Sequence, residues 1–268
     1  MSFSAEWLSL RERFDMRARN PVVMNAVFGA FRNKQRLRIT DLGCGSGSTL
    51  RTLSPKLAAQ QNWRLVDYDN ALLERAADSA AALNVHVETV ATDLNRELEQ
   101  VLDRLADLVT TSALLDLVSE RWIERLVDEA AKRKLSVYAA LSYDGRIEMT
   151  PPHPLDEAVV HAVNLHQCGD KGFGQALGPR AAETSIAKFM QRGFSVVHGP
   201  ADWTAFEQDR AFQREIVGGW AQAAQDTSVI TAKDISGWLS FRQNEIADGR
   251  SSLLVGHVDF FAVPPSVA

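Results

Sequence analysis

Cysteine is scarce. Cys44 and Cys168 are the only two in 268 residues, they lie far apart, and they form no CxxC pair, so neither a disulfide framework nor a cysteine-type zinc site is indicated. A reducing cytoplasm fits that usage. No run of about 18 apolar residues exists, which excludes a spanning helix. From Met1 to Arg19 the charges of Glu6, Arg11, Glu12, Arg13 and Asp15 break every apolar stretch, so the start reads as neither a signal peptide nor an anchor. Positive charge is not in excess either: 29 Lys and Arg stand against 34 Asp and Glu, a net charge of −5. Such a chain has no global field that draws it to nucleic acid or to an anionic membrane. Internal repeats and low-complexity tracts are absent.

What is present is the balance of an ordinary globular protein, 46% hydrophobic and 24% charged, long enough for one large α/β domain with insertions. Two helical patterns open the chain, Ala5 to Arg19 and Val22 to Phe31, divided at Asn20-Pro21, where proline starts a helix more readily than it continues one. They read as an N-terminal helical lid over residues 1–35. Short apolar runs then alternate with amphipathic stretches. Leu37 to Leu42, Trp63 to Asp67, Val85 to Val90, Leu108 to Ser112 and Leu135 to Leu141 read as strands. Ser48 to Gln60, Asn70 to Leu83, Leu94 to Leu105 and Glu120 to Lys132 read as helices. This alternation predicts a doubly wound, mostly parallel sheet with helices on both faces. With final strands at Phe194 to His198 and Leu253 to Val263, the sheet has seven strands. Helices at Asp156 to Leu165, Ala181 to Gln191, Phe206 to Ala224 and Asp234 to Ile246 fall in two inserts, about 150–192 and 204–248, that read as a cap on a core spanning 36–268.

Directly after the first strand comes Asp41-Leu42-Gly43-Cys44-Gly45-Ser46-Gly47-Ser48. Alternate glycines between a strand and a helix allow a tight turn and let a ligand lie against bare main chain. The dinucleotide fingerprint Gly-x-Gly-x-x-Gly fails, because Ser48 occupies the third glycine position, and no Gly-Lys-Ser/Thr marks a phosphate loop. An NAD-dependent oxidoreductase is therefore disfavoured. The Asp41 carboxylate would repel a pyrophosphate but suits a ligand carrying an ammonium and a sulfonium. Asp67, ending the second strand beside Tyr68, is placed to accept hydrogen bonds from ribose hydroxyls. After the third strand, Asp93 and Leu94 are placed for an adenine ring. Asp69 and Asp107 read as a helix cap and a solvated strand-start acid.

Taken together, Asp41 to Gly47, Val66-Asp67, Thr92-Asp93-Leu94 and the strand Asp107 to Ser112 resemble the ordered motifs of class I S-adenosylmethionine-dependent methyltransferases, over about Arg36 to Ser142. The resemblance implies S-adenosyl-L-methionine as cofactor and S-adenosyl-L-homocysteine as product. It also implies that the glycine loop holds the methionine part, and that Thr111, Ser112 and Ala113 lie beside the sulfonium. The expected activity is in-line methyl transfer to the oxygen or nitrogen of a small molecule, by a cytoplasmic monomer or homodimer. A non-catalytic cofactor sensor or partner subunit is the alternative.

The acceptor side rests on one unusual segment, His161 to Arg180, which concentrates ionisable groups and four glycines. His166 and His161 there, with Tyr143 after the fifth strand, are the candidate catalytic residues. A metal site from His161, His166, Cys168 and Asp170 matches no standard ligand spacing, and no metal is expected. Asp116 reads equally as a group near the acceptor or as a helix N-terminal acid. Arg11, Arg17, Arg19 and Asn20 read first as a solvated face, with closure over the cofactor as the alternative. His86, His198 and His257 read as structural, and Trp203, Trp220 and Trp238 as packing residues of the cap.

Overall fold

The computed structural model describes residues 4–57 and 60–265. Ala58 and Ala59, inside the helix expected over 48–60, and the ends of the chain, residues 1–3 and 266–268, lie outside the described residues.

Two capped helices open the chain. Ser4 Oγ accepts the amide of Trp7 to start α1 (Ala5–Ala18), and Asn20 Oδ1 accepts those of Val22 and Val23 to start α2 (Pro21–Phe31) with proline in its first turn. These side chains satisfy amides that a helix start leaves without partners. The alternating part follows as β1 (Arg36–Leu42), α3 (Ser48–Leu53), β2 (Gln60–Asp67), α4 (Asn70–Ala80), β3 (His86–Ala91), α5 (Leu94–Leu102), β4 (Leu108–Ser112), α6 (Glu120–Arg133) and β5 (Ser136–Thr150). Then come α7 (Asp156–Gln167), α8 (Ala181–Gln191), β6 (Ser195–Pro200), β7 (Trp203–Ala205), α9 (Arg210–Thr227), α10 (Ala232–Ala247) and β8 (Ser252–Val263).

The strands form one sheet in the order β3-β2-β1-β4-β5-β8-β6. β1 to β5 pair in parallel, while β8 runs antiparallel to both β5 and β6. The order reverses between β1 and β4, which opens a crevice at the carboxyl ends of these two strands, where open α/β sheets bind ligands. Each face has its own core. Leu37, Ile39, Trp63, Tyr138 and Phe261 pack with α1, α2, α7, α9 and α10. Leu42, Val109, Val137, Ala139 and Phe260 pack with α5, α6 and α8.

Two features depart from the sequence reading. β5 does not stop near Leu141: after a bulge at which Leu141 takes a φ of 54°, it continues to Thr150 along β8, which supplies partners for amides that otherwise read as loop. Tyr143 and Asp144 thus belong to the strand rather than to the loop after it. The sheet also gains an eighth member, β7, a three-residue strand on β8. The inserted helices divide between the faces, α8 joining α6 while α7, α9 and α10 pack with one another on the opposite side. Trp203, Trp220 and Trp238 are buried in that packing.

Candidate active site

The turn between β1 and α3 is held from below by main chain. Cys44 N–H donates to Val66 O at 3.0 Å and Gly47 N–H to Cys44 O at 2.9 Å. Gly45 has a φ of 51° and Gly47 of 88°, left-handed conformations that side chains with a Cβ resist. Gly45 N–H donates to Asp67 Oδ2 at 2.9 Å, and Asp69 N–H to Asp67 Oδ1 at 3.1 Å. Burial raises the Asp67 pKa, and these amides oppose the shift.

Above this turn lies a cavity of about 400 Å³, within the size range of small-molecule sites. Its floor follows the carboxyl ends of four successive strands: Gly43 to Ser46, then Asp67 and Tyr68, then Thr92 to Leu94, then Ser112 to Leu114 with Leu117. Its roof is built from two places far apart in sequence, Leu8, Arg11 and Asp15 of α1, and Lys171 to Phe173 of the loop after α7. That loop is tied down. Asp170 Oδ1 accepts the amides of Gly172 at 2.7 Å and Gly174 at 3.1 Å, and Asn95 Nδ2 donates to Gly172 O at 2.9 Å. Phe173 packs edge-on to Trp122, whose indole N–H donates to Leu94 O. One face of the loop is thereby joined to the turn that carries Asp93 and Leu94.

Polar groups are concentrated around the cavity, and several have no partner within the protein. Asp15 Oδ1 and Ser48 Oγ are buried without a hydrogen-bond partner, as is Asp116 Oδ1, an arrangement that costs free energy unless something else supplies the partner. Burial pushes the Asp116 pKa up to about 6, against the field of Arg11 and Lys171. Below the turn, Asp41 is buried and accepts Thr110 Oγ1–H at 2.7 Å. Burial drives its pKa to about 7, and Thr110 and Arg19 counter that rise.

Of the residues expected at the cofactor, Gly43, Cys44, Gly45, Asp67, Tyr68, Asp93, Leu94, Ser112 and Ala113 all line this cavity. Asp41, Gly47 and Thr111 do not. Asp41 and Thr111 are buried within their strands, and Gly47 backs onto Ala76 of α4. The three residues expected to act on the acceptor also lie off the cavity wall. Tyr143 is buried, with its hydroxyl donating to Asn164 Oδ1 at 2.7 Å, because β5 carries it past the strand ends. His161 lines a separate shallow groove with Met149 and Asp156 on the outer face of α7. His166 pairs with Asp226 at 3.5 Å and reaches the site only through Lys171, whose Nζ is 3.4 Å from its Nδ1. Burial and Lys171 both lower the His166 pKa.

Sequence reasoning expected a helical lid over residues 1–35 and an acceptor loop within 161–180, but read the charged residues of the first helix as facing solvent. Arg11 and Asp15 are buried and joined as an i, i+4 pair at 3.0 Å, and Arg19 is buried against Tyr138, Thr49 and Ser112. Asn20 is buried as well, so of the four residues read as a solvated face only Arg17 is not buried. The i, i+4 spacing of an acid and a base was the available signal.

Residues 39–133 match a family model described as a methyltransferase domain. Comparison with curated proteins found no match. Among solved structures, a putative methyltransferase from Bacillus halodurans aligns with a TM-score of 0.50 at 13% identity, over 91% of this chain and 99% of that one. A SAM-dependent methyltransferase from Thiobacillus denitrificans, in complex with S-adenosyl-L-homocysteine, aligns at 0.49 and 20% identity over 98% and 100%. A cyclopropane synthase from Mycobacterium tuberculosis aligns at 0.49 and 10% identity over 90% and 82%. At such identities the likeness is one of fold.

Proposed function

We propose that the protein, whose residues 39–133 match a family model described as a methyltransferase domain, is a class I, S-adenosylmethionine-dependent methyltransferase that methylates a small molecule at oxygen or nitrogen inside the roofed cavity. The observation that carries this reading is the roof itself. Leu8, Arg11 and Asp15 on one side and Lys171 to Phe173 on the other close about 400 Å³ over the strand ends, which suits a compact acceptor and leaves little room for a folded polymer.

The residues present fit the cofactor. Asp15 Oδ1 and Ser48 Oγ, buried without partners, match the ammonium of a methionine moiety seated on the Gly43 to Ser46 turn. Asp67 takes the ribose hydroxyls, and Asp93 and Leu94, with Phe173 opposite, take the adenine. Ser112 and Ala113 lie toward the sulfonium. When bound, the cofactor supplies an electrophilic methyl group on a positively charged sulfur.

The chain's own contribution is placement and exclusion of water. Methyl transfer is a displacement along one line, so holding the acceptor atom on that line in a desolvated pocket supplies much of the rate. Ala113, at a φ of 50° with its N–H donating a hydrogen bond to Ala140 O at 3.0 Å, fixes the cavity wall after β4.

Calorimetry with S-adenosyl-L-homocysteine, followed by incubation of tritiated S-adenosylmethionine with fractionated small metabolites, tests the proposal. Binding with label transfer to a low-mass product supports it. Binding without transfer to any fraction favours the sensor reading, and no heat with the homocysteine product removes both.

A further inference from the structure

Two cations line the cavity, and neither has its hydrogen-bonding capacity met inside the protein. Arg11 is nearly buried, its side chain 11% exposed. Among the described residues its one side-chain hydrogen bond runs from Nε to Asp15 Oδ2 at 3.0 Å. Its two terminal nitrogens donate to no described residue, yet they are not sealed from solvent, and the guanidinium lies 5.4 Å from the Trp203 ring centroid. A guanidinium held in that way presents a planar pair of N–H groups, the geometry that receives a carboxylate or phosphate. Lys171 is half-buried, and its Nζ has only His166 Nδ1 within hydrogen-bond distance, at 3.4 Å. It forms no ion pair within 4 Å with any described carboxylate, whereas elsewhere on the molecule Lys34 and Lys188 do.

Asp15, Trp203 and the packing of α1 hold Arg11, and the Asp170 turn holds the backbone of Lys171. Asp116, in the turn after β4, interacts electrostatically with each. Asp15 already answers the Arg11 charge, but the terminal N–H groups of Arg11 and the ammonium of Lys171 are partly withdrawn from water with no anionic acceptor among the described residues, which is costly unless a ligand supplies one. Beside them, Leu114 and Leu117 give the same cavity an apolar wall.

We propose that the methyl acceptor is an anion, a carboxylate or a phosphate monoester, whose charged group is held jointly by Arg11 and Lys171 while its apolar body packs on Leu114 and Leu117. This inference rests on the cavity being the methyl-transfer site and adds the substrate class. The acceptor carries its charge on a group separate from the atom that is methylated.

The test uses the full chain saturated with S-adenosyl-L-homocysteine, so that any demand of the cofactor's own carboxylate is already met. Benzoate, phenyl phosphate and neutral benzamide are then titrated by calorimetry. Benzoate or phenyl phosphate is expected to bind at least tenfold more tightly than benzamide, and the stronger of the two identifies the anion as carboxylate or phosphate. Arg11→Gln and Lys171→Gln should each weaken that anion about tenfold in protein saturated with the homocysteine product, and Lys171→Gln should change affinity for that product less than twofold. Benzamide binding as well as the anions, no binding by either anion, or undiminished anion binding in both variants overturns the proposal. A tenfold loss of homocysteine-product affinity in Lys171→Gln assigns that cation to the cofactor and overturns it too. If the wild-type protein fails to bind the homocysteine product, the methyltransferase reading falls. The same three titrations on the protein alone then report separately whether the two cations form an anion site.

Discussion

The amide of Gly45 donates to the Oδ2 of Asp67 at 2.9 Å, so the glycine turn after β1 and the acid that ends β2 are one structural unit. The turn cannot shift without releasing the carboxylate, and the carboxylate cannot be replaced without unpairing the turn. Asp67 also accepts the amide of Asp69, whose own side chain caps α4. The geometry of one carboxyl group therefore sets a turn, a strand end and a helix start together.

That coupling is measurable. Gly45→Val places a β-branched residue at a φ of 51° with its Cβ toward Leu8, a strain of roughly 1–2 kcal/mol for the backbone alone. Asp67→Asn removes the charge and leaves one oxygen to serve two amides. Each variant is expected to weaken S-adenosyl-L-homocysteine binding at least tenfold by calorimetry. The double variant should lose less than the product of the two, because contacting residues are not additive. Strict additivity would mean that the two residues contribute separately.

Gly47 should behave differently. A Cβ there meets Ala76 Cβ at 3.2 Å and Cα at 3.3 Å, against the body of α4. Gly47→Ala is expected to lower stability by about 1–3 kcal/mol in urea, with smaller loss of cofactor affinity than Gly45→Val once the variant is folded.

Asp41 carries a pH signature. Its folded pKa, about 7, lies above the ordinary aspartate value of 3.8. Between about pH 4 and pH 7 the native state therefore holds a proton that the unfolded chain has lost, so raising pH through that window destabilises the fold, by at most about 1.4 kcal/mol per pH unit from this group. Asp67, Asp116 and Asp259 are shifted in the same direction by burial, so Asp41→Asn should flatten the decline of Tm between pH 4.5 and pH 7.5 without abolishing it. An unchanged slope would show that Asp41 is ionised throughout.

The parts of this molecule that could be read from sequence are those in which one local rule acts alone. Apolar runs bounded by amphipathic stretches gave the parallel strands, and the glycine spacing located the cavity floor, because strand burial and turn conformation are properties of short segments. The charged part of the roof was hidden because α1 buries its charges. Arg11 and Asp15 neutralise each other one turn apart, so a pattern that reads charge as solvent exposure places that face on the outside. The continuation of β5 through Ser142 to Thr150 was hidden because its partner is β8, more than a hundred residues later, and nothing in the segment announces a pairing across that separation. Tyr143 was drawn to the acceptor because nearness to a strand end in sequence stood in for a direction in space, and His161 and His166 because their segment concentrates ionisable groups and glycines, of which Lys171 to Phe173 reach the cavity.

A second buried carboxylate joins the opening helices to the sheet. Asp259 Oδ1 accepts the amide of Leu141 at 2.8 Å, and its Oδ2 accepts the Asn20 amide at 2.9 Å and the Tyr138 hydroxyl at 3.1 Å. Asp259→Ala leaves these donors without their acceptor and removes a carboxylate from the field of the buried Arg19 guanidinium. The expected loss is about 3–5 kcal/mol by denaturant unfolding, against about 1 kcal/mol for Tyr138→Phe, which removes one bond of the set. Equal losses would place the energy in the hydroxyl rather than in the carboxylate.

The loop over the cavity offers the last test. Asp170 Oδ1 holds the amides of Gly172 and Gly174, and these two bonds fix the turn from which Lys171 and Phe173 reach the cavity. Asp170 itself is exposed and outside the cavity wall, so Asp170→Ala should leave global stability within about 0.5 kcal/mol while loosening the roof. Hydrogen exchange is expected to quicken at residues 172–174 alone, local opening being independent of global unfolding. Homocysteine-product affinity should fall severalfold as Phe173 loses its fixed position over the floor. Quickened exchange with unchanged affinity would show that the loop covers the cavity without contributing to what binds there.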